Sequence, residues 1–391
     1  MIKKLLILLV GISLIGCSGG VQTTDNQKKD DPSEAPSVEP SAEPAPEDPS
    51  GGPAPSDPSD GPAPSDPSDG PEPGPGPDPF FSFCNLISSK GWTDVDGEYG
   101  DLPDGITVFR SPEKLLGKRE IAYIAVADLS KIDFNVWSIK DIGTKGTTEA
   151  FKTPAKVYQD GKQPVIINGG FFFSDSGKNY SASLAVSNSE LLATNITYTS
   201  QDWVTVWNPT RGAFIQHTDG SYEAAWTYFI SETAHYVYQN PAANSWSKEP
   251  LKTPTATFPE RAKKLNALNA IGGGPVLLKN GEIRNTVVEE MFDGPSGILG
   301  DSEHPRTAIG ISSEWNCLVL FVNEGRKMTP GVQGLTHADV ADILLDLGCS
   351  DALNLDGGGS SCMLVNGQET IKPSDGSQRA VASTVMLTPK E

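Results

Sequence analysis

Four short segments place glycines and polar side chains directly at the ends of apolar runs. They are Val165-Ile166-Ile167-Asn168-Gly169-Gly170-Phe171-Phe172, Ala270-Ile271-Gly272-Gly273-Gly274-Pro275, His304-Pro305-Arg306-Thr307-Ala308-Ile309-Gly310 and Ala352-Leu353-Asn354-Leu355-Asp356-Gly357-Gly358-Gly359-Ser360-Ser361. A glycine pair or triple lets backbone N–H groups approach a ligand and turn toward it, which cradles a phosphate or an oxyanion without side-chain charge. A tight turn explains any one of these segments, but the set in one chain points to a site. Asp356 follows an apolar run and precedes three glycines, so it is expected at a strand end facing an open, backbone-lined pocket. Its alternative is an Asp that caps its own turn. Glu324 is a second carboxylate, placed likewise after the run ending at Val322.

The elements that must hold these residues read mostly as strands. Short β-rich runs at Ile106–Phe109, Ile121–Ala127, Phe134–Ile139, Val165–Ile167, Val204–Trp207, Gly212–Gln216, Thr307–Ile311 and Leu318–Val322 are punctuated by Gly, Pro, Asn and Asp. The clearest helix covers His337 to Leu347, with Thr336 as N-cap, Asp339 three residues on, and Val340, Ile343, Leu344 and Leu347 on one face. A weaker helix is expected over Glu149 to Tyr158. Many strands with few, irregularly placed helices predict an α+β fold of mixed β-sheets in a single large domain.

That domain does not begin at the first residue. The chain has 391 residues, 32 prolines and a formal net charge of −20. Residues 18–79 hold 17 of the prolines and a local net charge of −12, while every Trp, Tyr and Phe lies beyond them. The nonapeptide Pro53–Gly61 recurs unchanged at Pro62–Gly70. That array has no apolar residue that could build a core and the acids repel one another, so 18–79 is expected to be a disordered, extended stalk. Residues 1–17 read as a secretory signal, Lys3 and Lys4 followed by an apolar run too short to span a bilayer. Its end, Leu14-Ile15-Gly16-Cys17, resembles the lipobox of bacterial lipoproteins, which predicts lipidation at Cys17 and anchorage to a membrane of the cell envelope, at the outer membrane or cell surface. Acidity without a basic stripe argues against nucleic acid as a partner, although a single buried cation suffices for a small anion. Cys84, Cys317, Cys349 and Cys362 permit three full pairings, and nothing in their spacing selects one or suggests a metal site.

Taken together, Asn168-Gly169-Gly170-Phe171-Phe172, Gly272-Gly273-Gly274-Pro275, His304 to Gly310 and Asn354 to Ser361 resemble the phosphodiester glycosidase family. Asn323-Glu324-Gly325-Arg326 and Gly334-Leu335-Thr336 fit the same motif order, with Glu324 standing where the family often has Asp. The resemblance covers residues 161–391 as the catalytic part, and leaves 80–160 as an N-terminal β-rich part without a motif. It implies a hydrolase that cleaves between a sugar anomeric carbon and phosphate in a glycosyl-1-phosphodiester, with a phosphorylated glycan such as one bearing N-acetylglucosamine as substrate.

Such a reaction passes through an oxocarbenium-like state, so a carboxylate near C1 serves as nucleophile, base or stabiliser, and Asp356 and Glu324 are the candidates. A phosphate monoester is already a good leaving group, its second pKa being about 6. Donors that hold the departing charge therefore matter more than a strong acid. Arg306 is the expected donor, because guanidinium matches phosphate bidentately and keeps its proton, and a buried salt bridge is its alternative. His304 is suited to shuttle a proton or bind phosphate, or else packs against Pro305.

Asn168 and Asn354 are expected to orient sugar hydroxyls or a carboxylate. Gly169, Gly170, Phe171, Gly273, Gly274, Thr307, Asn323, Gly357, Gly358 and Ser360 complete the predicted binding surface. Phe171 to Phe173, Trp203, Trp207 and Trp226 form either a sugar-stacking face or core. His217, His235 and His337 show no ligand spacing and read as surface or cap residues. No cofactor is implied, and the acids leave room for Ca²⁺. Two other functions fit the same residues: a non-catalytic glycan-binding lipoprotein, and a phosphodiesterase that cleaves the P–O bond.

Overall fold

The longest apolar runs become strands covered on both faces. Every residue of Ala122–Asp128, Arg306–Ser312 and Cys317–Asn323 is buried, which requires a layer on each side of their sheet. The computed structural model describes residues 78–390. In it these strands are central to an eight-stranded sheet ordered Thr93–Asp94, Ile106–Arg110, Ala122–Asp128, Cys317–Asn323, Arg306–Ser312, Asp351–Asn354, Val276–Lys279 and Glu282–Ile283. A seven-stranded sheet runs from Glu190–Ala193 through Ala185–Ser187, Ala267–Gly272, Arg211–His217, Tyr222–Ser231 and Ala234–Tyr238 to Lys263–Lys264. A five-stranded sheet contains Gln368–Glu369, Met363–Val365, Val165–Asn168, Ser383–Pro389 and Ile132–Ser138. The α+β class read from the sequence is the one that forms. The sequence predicts mixed sheets, whereas the ladders of all three are antiparallel.

One core joins the three sheets. It draws Tyr123, Ile309 and Leu353 from the first, Phe214, Trp226 and Ile271 from the second, and Phe134, Ile167 and Val385 from the third. Four α-helices are described: α1 (Pro79–Ser89), α2 (Asp96–Tyr99), α3 (Pro154–Gly161) and α4 (His337–Asp346). Phe83 and Ile87 of α1 and Val340, Ile343 and Leu344 of α4 cover the outer face of the eight-stranded sheet. Burying each such side chain contributes about 2 kcal/mol. Helix α4 starts where its sequence indicates: Thr336 Oγ1 accepts from Asp339 N at 3.1 Å, and the Asp339 carboxylate accepts from Thr336 N at 2.8 Å.

Three elements differ from the reading of the sequence. Helix α1 was hidden by its proline-rich approach, yet Asp78 accepts from Phe80 N and Pro79 opens the first turn, so two residues assigned to the stalk belong to the fold. Helix α3 begins at Pro154 rather than Glu149, because Thr153 caps it and a residue before proline avoids the helical region. Val204–Trp207 is not a strand: Asp202 accepts from Val204 N and Thr205 N and bends the chain, leaving Val204 84% exposed. The expected signal segment with Cys17, and the stalk as far as residue 77, lie outside the described residues. The four cysteines within them are unpaired thiols, three of them buried.

Between the first two sheets lies a buried carboxylate that the sequence did not advertise. Glu290 accepts from Gly212 N at 2.6 Å, Val276 N at 2.9 Å, Thr286 Oγ1 at 2.6 Å and Trp226 Nε1 at 3.1 Å. Arg211 donates to its carbonyl oxygen and stacks 4.2 Å from the centre of the Phe292 ring. Burial pushes the Glu290 carboxyl upward against these donors. Glu290→Ala strands four donors in a dry interface and is expected to cost about 4 kcal/mol. Urea denaturation reads this directly, and an unchanged midpoint would show that the carboxylate is not what ties the two sheets.

Candidate active site

The motif turns sit where one end of each sheet meets the others. Asn168 ends its strand in the five-stranded sheet, Gly272 ends one in the seven-stranded sheet, and Arg306 and Asn323 face each other across the eight-stranded sheet. The backbones approach too closely for side chains. A Cβ at Gly170 would stand 2.3 Å from Gly272 O, and one at Gly273 would stand 2.3 Å from Asn354 O, so only glycine fits either position.

Hydrogen bonds lock this junction. Asn168 Nδ2 donates to Asp356 O at 2.7 Å, while its Oδ1 accepts from Thr307 Oγ1 at 2.7 Å and Cys362 N at 3.1 Å. Asp356 N donates to Gly169 O, Leu355 N to Thr307 O and Gly358 N to Pro305 O. Asn354 Nδ2 donates to Gly274 O at 2.8 Å, and Asn323 Oδ1 accepts from Arg306 N at 3.0 Å. Asn168, Thr307, Asn323 and Asn354 are buried. They position the turns rather than offer amides or hydroxyls to a sugar.

Asp356 is partly exposed beside the turn it begins, and accepts from Gly357 N at 2.9 Å. Burial pushes its carboxyl up to about 6, although Ser360, Arg379, Gly357 and Arg326 all favour the ionised form. Arg326 and Arg379 lie against Gly358 and Gly359 of that turn. Arg379 Nη1 donates to Ser360 Oγ at 3.3 Å, and Arg326 Nε lies 3.5 Å from His304 Nδ1. Burial, with Arg306 and Arg326 nearby, lowers the His304 imidazole to about 4. At neutral pH the ring is uncharged, and because Nδ1 faces a permanent donor its proton sits on Nε2.

Arg306 is not the open phosphate donor that the sequence suggests. Its Nε donates to Leu335 O at 2.9 Å, its Nη2 to Leu299 O at 2.6 Å and Ser302 O at 2.7 Å, and its Nη1 lies 3.0 Å from His337 Nε2. The guanidinium is buried and committed to protein carbonyls. His337, read as a surface or cap residue, is fully buried against it, and burial first and Arg306 second hold the imidazole well below its usual range. His235 is likewise buried, and His217 is partly buried against Glu223 at 2.9 Å.

Glu324 is buried at the base of the loop 372–379, where Oε2 accepts from Lys372 N at 3.2 Å and Oε1 has no protein partner. Of the aromatics, Trp226 is core and Trp207 packs edge-on against Trp246, while Phe171 sits on Phe292 at 5.4 Å in a small apolar cluster. Trp226 therefore supplies no sugar platform. Arg379 and Asp375 carried no recognisable signal, and Arg326 stood only as the last residue of a motif. Among the described residues, no group of three or more His, Cys, Asp or Glu side chains is gathered as for a metal ion. A cavity of about 620 Å³ lies elsewhere, lined by Phe80, Asp96, Leu102 and Thr107, and contains no motif residue.

The family model for phosphodiester glycosidases matches residues 161–388. The SPbeta prophage-derived uncharacterized protein YomE of Bacillus subtilis (strain 168) is 40% identical over 86 residues, which is 22% of this chain and 13% of that protein. Among solved structures, a hypothetical protein from Synechocystis aligns with a TM-score of 0.49 and 16% identity, over 76% of this chain and 64% of its own. The zebrafish N-acetylglucosamine-1-phosphodiester alpha-N-acetylglucosaminidase catalytic domain, auto-inhibited by its pro-peptide, aligns with a TM-score of 0.47 and 20% identity, over 74% of this chain and 85% of its own.

The two arginines separate scaffold from site. Arg306→Leu removes the donor of the buried Leu335 carbonyl and of the part-buried Leu299 and Ser302 carbonyls, and is expected to cost about 3 kcal/mol of stability. Arg326→Ala, at an exposed position, is expected to change stability by less than about 0.5 kcal/mol. Denaturation curves of both variants test the assignment, and the reverse order of effects would overturn it.

Proposed function

Because the chain belongs to the phosphodiester glycosidase family, we propose that it hydrolyses the bond between a sugar anomeric carbon and phosphate in a glycosyl-1-phosphodiester, such as an N-acetylglucosamine-1-phosphodiester. Family membership supports phosphodiester glycosidase activity in general. The finer reading is carried by one observation: Asp356, at the junction of the motif turns, offers a carboxylate at the start of a glycine turn against which two guanidinium groups lie. Lipidation at Cys17, the extended stalk and a place in the cell envelope belong to the same proposal and rest on the sequence.

In this reading Asp356, ionised above about pH 6, acts on the sugar side as nucleophile or as base for water. As base, Asp356 takes a proton from the water that adds to C1 as the C1–O bond breaks; as nucleophile, it bonds C1 in that step and water then hydrolyses the ester. In both cases the electron pair of the C1–O bond leaves on the phosphate oxygen. Arg326 and Arg379 hold the departing charge in place of Arg306. His304 is too weakly basic to carry a proton at neutral pH, so it contributes the neutral Nε2–H as a hydrogen-bond donor. The low basicity of the leaving phosphate makes that sufficient. Glu324, with Oε1 unpartnered, is the second carboxylate.

Asp356→Asn is expected to lower kcat about a thousandfold on a sugar-1-phosphodiester. In the wild type, kcat/KM should rise with pH through a midpoint of about 6 and level off above it. Water labelled with heavy oxygen should leave its label in the sugar. Label in the phosphate would replace glycosidase chemistry with P–O cleavage, and binding without any turnover would leave only a glycan-binding protein.

The same shift has a consequence for stability. A carboxyl held above its unfolded value of 3.8 destabilises the fold as pH rises through that value to about 6. Asp356→Asn should therefore be more stable than the wild type at pH 8, by about 2 kcal/mol, and equal to it below about pH 4. Thermal melts across pH test this, and a variant less stable at pH 8 would contradict the burial cost.

A further inference from the structure

Between the two arginines stands a third charged side chain. Arg379 reaches Asp375 Oδ2 through Nη2 at 2.5 Å and Nε at 3.0 Å, and Arg326 Nη1 lies 3.8 Å from Asp375 Oδ1. All three press on the glycine turn that follows Asp356. A Cβ at Gly359 would meet Asp375 Oδ2 at 2.1 Å and Arg379 Nη2 at 2.2 Å, and one at Gly358 would meet Arg326 Nη2 at 2.7 Å. The loop that carries Asp375 is pinned at both ends. Lys372 N donates to Glu324 Oε2, Lys372 Nζ to Thr329 Oγ1 at 2.9 Å, Gln378 Nε2 to Glu369 Oε1 at 2.7 Å, and Ala155 N to Gln378 Oε1 at 2.8 Å. Asp375 is thus part of the site as built.

Charge counting then matters. On the phosphate side, two guanidinium groups and the Asp375 carboxylate sum to a single positive charge, His304 being neutral, while Asp356, ionised above about pH 6, adds its negative charge on the sugar side. A phosphodiester carries one negative charge, whereas a phosphomonoester carries about −1.5 to −2 at pH 7. We propose that Asp375 is a specificity-determining residue: it trims the arginine pair to one net positive charge, so the site accepts a singly charged phosphodiester and disfavours a doubly charged phosphomonoester. The phosphate product of the reaction is such a monoester, so the same charge balance speeds its departure. This rests on the reading of Arg326 and Arg379 as the phosphate site.

The probes are dimethyl phosphate, a monoanion, and methyl phosphate, a dianion at about pH 8. Binding to the purified full chain is followed by phosphorus NMR at low ionic strength, where screening is weak. Asp375→Asn is expected to tighten methyl phosphate about tenfold and dimethyl phosphate less than about threefold. Asp375→Glu, which restores the charge, should return the wild-type ratio. Equal tightening of both probes, or none, overturns the charge-selection role while leaving the arginines as the phosphate site. If neither Arg326→Ala nor Arg379→Ala weakens dimethyl phosphate, the underlying reading falls instead.

Discussion

Much of the site hangs on one buried carboxamide. Asn168 is wholly inaccessible, and its side chain bonds Thr307, Asp356, Cys362 and its own neighbour Gly169. Donors and acceptor are all used, so a group that would be costly to bury unpaired becomes a rigid joint. It fixes the backbone of Asp356 relative to a strand from another sheet. The glycine turns can approach to backbone contact only because that joint sets their spacing.

Asp356 inherits both the benefit and the cost of this arrangement. A carboxylate held partly out of water beside two cations is poised to ionise near neutrality, and folding does not favour the charged form. The surrounding scaffold has to absorb that strain. Arg306, Asn323 and the Glu290 knot do so by satisfying backbone groups around the sheet junction, and none of them needs to touch a substrate.

Local chemistry was legible in the sequence, and partnership across space was not. Glycines and amides at strand ends announce themselves because strand, turn and close approach are encoded within a few residues. Arg306 and Arg326 look equivalent in that light, each flanking an apolar run. What separates them is the side chain of His337 and the carbonyl of Leu335, about thirty residues on, which with the Leu299 and Ser302 carbonyls of the preceding loop draw Arg306 inward, while Arg326 follows its strand with a φ of 55° and stays at the rim. Glu290 is silent for the same reason: its donors come from residues 212, 226, 276 and 286. Helix α1 was masked by the proline-rich composition before it, and two valines beside a tryptophan looked like a strand where Asp202 makes a turn.

The strand Ala122–Asp128 carries no motif, yet it pairs along its whole length with Cys317–Asn323, and Ile132–Ser138 pairs likewise with Ser383–Pro389. Both partners belong to the stretch by which the family is recognised, 161–388. Cut at that boundary, the eight-stranded sheet would end in a fully buried apolar strand with its hydrogen-bonding edge bare, which invites pairing with other chains. The stretch that carries the chemistry is therefore not a portable module. Its ancestry can be read from residue 161, but a library, a graft or an expression fragment must inherit the chain from α1 onward.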